Sequence, residues 1–348
     1  MTDNSESDGV QPVLRVRGLS TRFFSSFGVV QAVSDVSFEV YPGETLGIVG
    51  ESGSGKSVTA QSILRLVPKP GRIVAGSIEL DGVDLLDLDA EEMRRIRGRT
   101  LSMVSQNPLT ALNPALRIGW QLDEAHRSHS KTGSKKDARV RTKEMLTAVG
   151  IADADERANS YPHEYSGGMQ QRIVIAMGMM NEPNLMIADE PTTALDVTIQ
   201  AQVIELMKQL IEDHNMALVL ITHNMGVVAN MCDRVAVMYA GEIVEEAPID
   251  ELFEDPKHPY TWALLRSLPS ITHIDTEIPT ISGSPPDMMN PPSGCRFQAR
   301  CPFAEAVCEE HPDLDIVGDR RKARCWISQR GDTFASDDEL PIGESNQS

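Results

Sequence analysis

The chain has 348 residues, 41% of them hydrophobic, which is enough for one sizeable domain plus a smaller one. A formal charge of -19 argues against nucleic acid as the main partner, because phosphate backbones are met by basic surfaces. The start, MTDNSESDGV, has neither a positive nor an apolar leader region, and no run of about 18 apolar residues follows, so neither a secretory signal nor a membrane span is expected.

Residues 1 to 12 are polar, acidic and aperiodic, and are expected to be disordered. Order begins at Val13, where VLRVRGL alternates apolar and charged residues as a half-buried strand does. A second alternation sets Val36, Phe38 and Val40 against Ser37 and Glu39 and ends at the turn Pro42-Gly43. Between them lies Phe23-Phe24, in a stretch otherwise rich in Ser and Gly. An aromatic there can stack on a nucleotide base or pack in a core, and composition favours packing.

Gly50 to Ser57 reads GESGSGKS and fits G-x-x-x-x-G-K-[ST]. In that pattern the backbone N–H groups of a loop such as Gly50, Ser52, Gly53, Ser54 and Gly55 curl around phosphate oxygens. Lys56 reaches the β- and γ-phosphates, and the Ser57 hydroxyl ligates Mg²⁺. Glu44 to Val49 is a short apolar strand and Val58 to Leu66 has helical spacing, so the loop joins strand to helix as the mechanism requires. Gly53 and Gly55 let the backbone approach a ligand with no Cβ in the way. The alternative, a surface loop that happens to be rich in Gly and Ser, would match by chance on the order of 1 time in 100. Nucleoside triphosphate and Mg²⁺ binding is therefore expected.

SIELDG, from Ser77 to Gly82, is a further strand and turn, and Asp89 to Arg99 is compatible with a helix. LSMVS then runs into a proline-punctuated loop, and Gln106 sits where that strand ends. Ligands bind at the carboxyl ends of strands in open α/β sheets, but a lone Gln can equally serve a loop hydrogen bond. Ile118 to Gly150, with the insertion HSKTGSKKD, reads as mostly helical and solvated. Ser166, Gly167 and Gly168 precede a strongly helical run whose free N–H groups form either an anion site or an ordinary cap.

Leu185 to Ala188 is a buried-strand run ending in Asp189-Glu190, which places two carboxylates at the sheet edge. Leu218 to Thr222 is another such run, followed by His223 at the same edge. Cys232 stands alone in VVANMCDRVAV and reads as a buried thiol.

After about His258 the composition turns to a Pro-rich stretch, ISGSPPDMMNPPSG, expected to mark a domain boundary. Cys295, Cys301, Cys308 and Cys325 follow at gaps too wide for C-x₂₋₄-C zinc pairs. Four such thiolates can hold an iron–sulfur cluster, or remain plain thiols. The tail with Asp337-Asp338-Glu339 is expected to be solvated and disordered.

Taken together, these motifs resemble the ATPase subunit of an ATP-binding-cassette (ABC) transporter over nearly the whole chain. Gly50 to Ser57 matches the Walker A loop, Gln106 the Q-loop, Ser166 to Gln170 the signature motif and Leu185 to Asp189 Walker B. Ala194 to Asp196 matches the D-loop, His223 the switch histidine and Phe23 the aromatic that stacks on adenine. The signature departs from the usual LSGGQ at Tyr165 and Met169 but keeps Ser166 and Gly168. The segments SQNPLTALNP, SGGMQQR, IADEPTTALDVTIQAQ and HPYTWALLRSLP are similar to the oligopeptide and dipeptide importer ATPases, whose close relatives carry nickel or glutathione.

The resemblance implies an α/β fold, a P-loop NTPase of ABC type with a RecA-like core sheet, an antiparallel β subdomain and a helical signature subdomain. The cassette would span 13–260, with the helical part at about 107–180. A small C-terminal extension with the four-Cys segment would span 261–328 and an acidic tail 329–348.

It also implies roles. Lys56 and the loop would hold ATP, Ser57, Gln106 and Asp189 would hold Mg²⁺, Glu190 would act as general base and His223 would align water and γ-phosphate. Ser166 and Gly168, with Asp196 of the D-loop nearby, would complete the site of a second, usually non-identical, ATPase subunit. Two membrane permeases and an extracytoplasmic substrate-binding protein would complete an importer, with this chain peripheral at the cytoplasmic face of the inner membrane.

In some family members a segment similar to GCRFQARCP binds a 4Fe-4S cluster. A soluble ABC ATPase of DNA repair would want a long coiled coil and a basic surface, and neither is visible. Glu190 and His223 argue against a nucleotide-binding module without turnover.

Overall fold

The computed structural model describes residues 10–130, 133–193, 195–267 and 281–332. The expected disordered start and tail lie outside these residues except for 10–12 and 329–332, and Ala194 of the expected D-loop lies outside them too.

Alternating burial builds an antiparallel hairpin of β1 (Leu14–Ser25) and β2 (Gly28–Val40), after which β3 (Thr45–Val49), buried at every position, leads into α1 (Lys56–Ile63). Next come β4 (Gly71–Leu80) and β5 (Val83–Asp84), joined by Asp81-Gly82, both at positive φ as a two-residue hairpin turn of this hand requires. A capping box between Asp89 and Glu92 starts α2 (Ala90–Ile96), and β6 (Leu101–Val104) follows.

A helical layer then interrupts the sheet with α3 (Pro108–Ala111), α4 (Ile118–Arg127), α5 (Lys135–Ala148), α6 (Ala154–Arg157) and α7 (Gly167–Met179). The chain returns through β7 (Leu185–Asp189), α8 (Val197–His214), β8 (Ala217–Ile221), α9 (Met225–Met231), β9 (Arg234–Tyr239) and β10 (Glu242–Pro248). It closes with α10 (Ile249–Glu254), α11 (Pro259–Arg266), β11 (Asp315–Gly318), β12 (Arg321–Ala323) and α12 (Trp326–Gln329).

The main sheet has the order β11-β12-β10-β9-β3-β8-β7-β6, with β9, β3, β8, β7 and β6 mutually parallel and the remainder antiparallel. Side chains alternate between its two faces. Leu218 and Leu220 enter a core shared with α7, α8 and α9, whereas Ala217, Val219 and Ile221 enter a second core shared with the four-stranded sheet β2-β1-β4-β5. Because both faces are covered, the central strands read as continuous apolar runs.

Two expectations change in form. Phe23-Phe24 was expected between strands, but β1 runs through both and pairs Phe23 with Val30 and Gly71. Register shifts after Val16, Leu19 and Thr21 break the alternation that would have announced one long strand. The Pro-rich stretch, expected to be a boundary, lies against the rest of the fold where it is described. Gln31 N–H donates to Met288 O at 2.9 Å, and β12 pairs with β10 and so extends the main sheet. Cys232 is buried as expected, its sulfur packed against Gly47.

One buried ion group fastens this frame. Arg234 on β9 donates to Glu44, just before β3, at 2.6 Å and to Glu246 on β10, and all three residues are buried. Burial pushes the Glu44 carboxyl up against the pull of Arg234. Deleting the cation leaves two buried carboxylates without their partner, so Arg234→Met is expected to destabilise the fold by about 3–5 kcal/mol in urea denaturation; unchanged stability would remove the group's importance.

Candidate nucleotide site

The parallel strands set the site. The loop after β3, Gln106 after β6, Asp189-Glu190 at the end of β7 and His223 after β8 all emerge at the same edge of the sheet. The loop can follow its path only with glycines. Gly50 has φ +148° and a Cβ there would meet Met238 O at 2.1 Å, while Gly55 has φ +107° and a Cβ would meet Ala32 O at 2.6 Å. At Gly53 the demand is conformational alone, φ +79° with nothing near.

Lys56 is buried, and its amine donates to Gly50 O and Glu51 O, both at 2.8 Å, and at 3.4 Å to Ser54 Oγ. Burial pulls its pKa down, opposed by the charges of Glu190, Asp189 and Glu51. Ser57 Oγ donates to Asp189 Oδ1 at 3.1 Å, so two hard oxygen donors stand side by side as a divalent cation of the Mg²⁺ type requires. Burial pushes the Asp189 carboxyl up, the Ser57 hydroxyl pulls it down, and neighbouring Glu190 adds to the rise.

Three side chains hold the Glu190 carboxylate. Gln106 Nε2 donates to Oε2 at 2.8 Å, Thr193 Oγ1 donates to the same oxygen at 2.9 Å, and His223 Nδ1 lies 3.1 Å from Oε1. Its backbone is left-handed, φ +48°, an uncommon state for a residue with a Cβ, and its N–H is anchored on Ile221 O at 2.8 Å. Burial alone would raise this carboxyl, but the His223 and Thr193 hydrogen bonds, with the charges of His223 and Lys56, hold it below its ordinary value. An ionised carboxylate therefore faces the loop mouth at neutral pH. Gln106 joins this knot through Glu190 and makes no hydrogen bond to Ser57 or Asp189 among the described residues.

The remaining expected residues are placed elsewhere. Ser166 caps α7, accepting from Met169 N–H at 3.4 Å, and a Cβ at Gly168 would meet Ile199 Cγ2 at 2.5 Å, so that glycine lets α7 approach α8. Asp196 caps α8 through Thr198 N–H at 3.1 Å and Ile199 N–H at 3.0 Å. Neither Ser166 nor Asp196 bonds to the phosphate loop among the described residues. Tyr165, which replaces the usual Leu, is buried and donates its hydroxyl to Arg157 O. Phe23 is half-buried beside Gly71, whereas Phe24 is 36% exposed and carries the Arg72 guanidinium 4.8 Å from its ring centre.

Cys295, Cys301, Cys308 and Cys325 are all free and line one small cavity with His258, Phe297 and Trp326. Burial pushes Cys295 up to about 11 and Cys301 up to about 12, and the other thiols of the group add to both. Backbone N–H groups aim at three of the sulfurs: Phe297 and Gln298 at Cys295, Phe303 at Cys301, Ser328 and Ile327 at Cys325. Among the described residues, no group of three or more His, Cys, Asp or Glu is arranged to hold a metal ion.

Four contributors escaped the sequence reading: Thr193, Glu51, Tyr260 and Arg300. Thr193 follows Glu190 closely and could have been suspected. Glu51, an unconstrained position of the loop pattern, has its N–H on Tyr260 Oη at 2.8 Å and its carboxylate on Arg300. Those partners lie more than two hundred positions away and leave no local signal.

A glycine-shaped phosphate loop whose lysine, serine and paired carboxylates share one edge of a parallel sheet, beside a helical layer and an antiparallel sheet, defines a P-loop ATPase of the ABC type. Comparison with known proteins agrees. Residues 33–193 match the ABC transporter family, and residues 244–308 match the C-terminal region of oligopeptide/dipeptide transporters. The chain is 48% identical over 321 residues to the oligopeptide transport ATP-binding protein OppD of Bacillus subtilis, covering 91% of this chain and 89% of that one. It is 46% identical over 314 residues to the dipeptide transport ATP-binding protein DppD of Haemophilus influenzae, covering 90% and 94%. Among solved structures it is similar to the dimeric ATP-binding cassette MJ0796 bound to ADP and Pi in a post-hydrolysis state. That likeness has a TM-score of 0.61 at 27% identity and covers 68% of this chain and 98% of that one.

The chain therefore belongs to the ABC transporter family, in its oligopeptide/dipeptide branch of ATP-binding proteins, and is an ATPase.

The raised Asp189 carboxyl has a stability consequence. The folded state binds that proton more tightly than the unfolded chain, so stability falls as pH rises through the interval from the ordinary Asp value, about 3.9, to the raised one. Asp189→Asn is expected to raise the melting temperature of the nucleotide-free protein at pH 7, with the gain shrinking toward about pH 4. A gain that is equal or larger at acid pH contradicts this.

Proposed function

We propose that the chain powers import of di- or oligopeptides through a membrane ABC transporter, by ATP-driven closure and hydrolysis-driven opening of an ATPase dimer. The observation that carries the hydrolytic part is the Glu190 carboxylate held by Gln106, Thr193 and His223 beside the Ser57–Asp189 pair. The peptide cargo is supported by the match of residues 244–308 to the oligopeptide/dipeptide C-terminal region and by relatives named for those cargoes.

In this reading Lys56 and the N–H groups of Gly50, Ser52, Gly53, Ser54 and Gly55 hold the phosphates, and Phe23 stacks on adenine. Ser57, Gln106 and Asp189 hold Mg²⁺, which when bound neutralises charge on the phosphate oxygens. Glu190 takes the proton of the attacking water, and His223 keeps water and γ-phosphate in line.

Ser166 and Gly168 complete the site of a second ATPase subunit, with Asp196 of the D-loop at that contact. Closure then needs ATP between two chains, in a heterodimer. Two permeases transmit the movement, and an extracytoplasmic binding protein delivers the peptide. No helix of the described residues is long and apolar enough to cross a membrane, which fits a peripheral place on permeases at the cytoplasmic face of the inner membrane.

The four cysteines are proposed to hold a 4Fe-4S cluster. Convergence of the four thiols on one cavity and N–H groups aimed at three of the sulfurs support this reading.

Glu190→Gln is expected to bind ATP with near-normal affinity while kcat of the assembled complex falls by ~10²–10⁴; near-normal turnover would refute the assignment. Protein purified without oxygen is expected to be brown, with about four iron and four sulfide per chain. Colourless, iron-free protein with full transport activity would defeat the cluster.

A further inference from the structure

Every polar group of Glu51, the second residue of the phosphate loop, is engaged. Its carbonyl accepts from Lys56 Nζ at 2.8 Å and from Ser54 N–H at 3.2 Å, so it shapes the loop itself. Its N–H donates to Tyr260 Oη at 2.8 Å, and its carboxylate forms a two-pronged ion pair with Arg300, Nη1 to Oε2 at 2.9 Å and Nη2 to Oε1 at 3.0 Å. Both partners come from the C-terminal part of the chain. The Arg300 side chain is 5% exposed and that of Glu51 27%, so solvent screens the pair little.

Arg300 is held as firmly as the residue it holds. The five N–H donors of a guanidinium are all used. Nε donates to Ser282 O at 2.9 Å, Nη1 also reaches Tyr239 Oη at 3.3 Å, and Nη2 also reaches Ile281 O at 3.2 Å. Phe297 packs edge-on against both Tyr239 and Tyr260 underneath. Arg300 directly precedes Cys301, whose thiol lines the four-cysteine cavity. The sidewall of the phosphate loop is thus made by the cysteine segment, and a lysine at position 300 could not reproduce the fork.

We propose that Arg300 is a positioning residue of the nucleotide site: by gripping Glu51 it holds the phosphate loop in its nucleotide-binding shape, making the C-terminal cysteine segment part of that site. The inference rests on the nucleotide reading of the loop and adds to it a dependence on a segment 249 positions away.

The test titrates MgATP into the purified full-length chain by calorimetry for Arg300→Met, Arg300→Lys, Glu51→Gln and the Glu51→Gln/Arg300→Met double variant, with melting temperatures in parallel. KM and kcat are then measured in the assembled complex. Arg300→Met is expected to weaken MgATP binding by about tenfold or more, the scale of a charged hydrogen-bonded pair. Arg300→Lys should fall between Arg300→Met and wild type. The change should appear in KM with kcat nearly kept, and the double variant should bind no more weakly than Arg300→Met, because both changes break one contact. A lowered melting temperature with unchanged MgATP affinity would overturn the proposal and leave a structural staple. Losses that add in the double variant would overturn it as well. Lys56→Ala is the control for the underlying reading: if it binds MgATP like wild type the loop is not the nucleotide site, whereas if it alone loses binding the loop reading stands and the role of Arg300 fails.

Discussion

The site depends first on strand direction. Because β6, β7, β8 and β3 run parallel and in adjacent register, whatever follows each strand arrives at one edge. Gln106, Asp189-Glu190, His223 and the phosphate loop then meet without any long-range search by their side chains. Antiparallel neighbours would have sent half of them to the opposite edge. The buried strands are held by two apolar cores and by Arg234, which ties the approach to β3 to β9 and β10.

On that edge the electrostatics divide two adjacent carboxylates. Asp189 is more buried and has one hydroxyl partner, so its carboxyl is pushed up and gains by meeting a cation. Glu190, one residue on, sits on a left-handed backbone, and its His223, Thr193 and Lys56 neighbours hold its carboxyl below the ordinary value. In the proposed reading one residue serves as a ligand and the next as a base because their surroundings differ, not their chemistry. Lys56 donates to the loop carbonyls of Gly50 and Glu51 and feels the charges of both carboxylates.

Much of this was readable in the sequence because it is local. The spacing of Gly50, Gly55, Lys56 and Ser57 is set by one turn of chain, and apolar runs ending in Asp189-Glu190 or in His223 declare strands and their ends. What escaped was set by distant partners. Only the structure shows that Gly50 must be glycine because Met238 O lies in the way. The bulged strand carrying Phe23 lost its alternation to register shifts, and the hairpin of β11 and β12 is too short to announce that it joins the main sheet. The Glu51–Arg300 pair is invisible from either end, since neither residue belongs to a motif until they touch. Ser166, Gly168 and Asp196 show the complementary case, with a motif plain in sequence and only a capping or packing role within one chain.

The C-terminal segment thereby becomes wall rather than appendage, contributing strands to the sheet, Tyr260 and Arg300 to the loop and four thiols to a cavity beside it. All of it presupposes that the loop binds and spends a nucleoside triphosphate to move other chains. The most direct test is peptide uptake and ATP hydrolysis by the complete transporter reconstituted in vesicles with Lys56→Ala in this subunit. Loss of hydrolysis at this subunit's site together with collapse of uptake is the predicted result, and uptake at the wild-type rate would contradict the account.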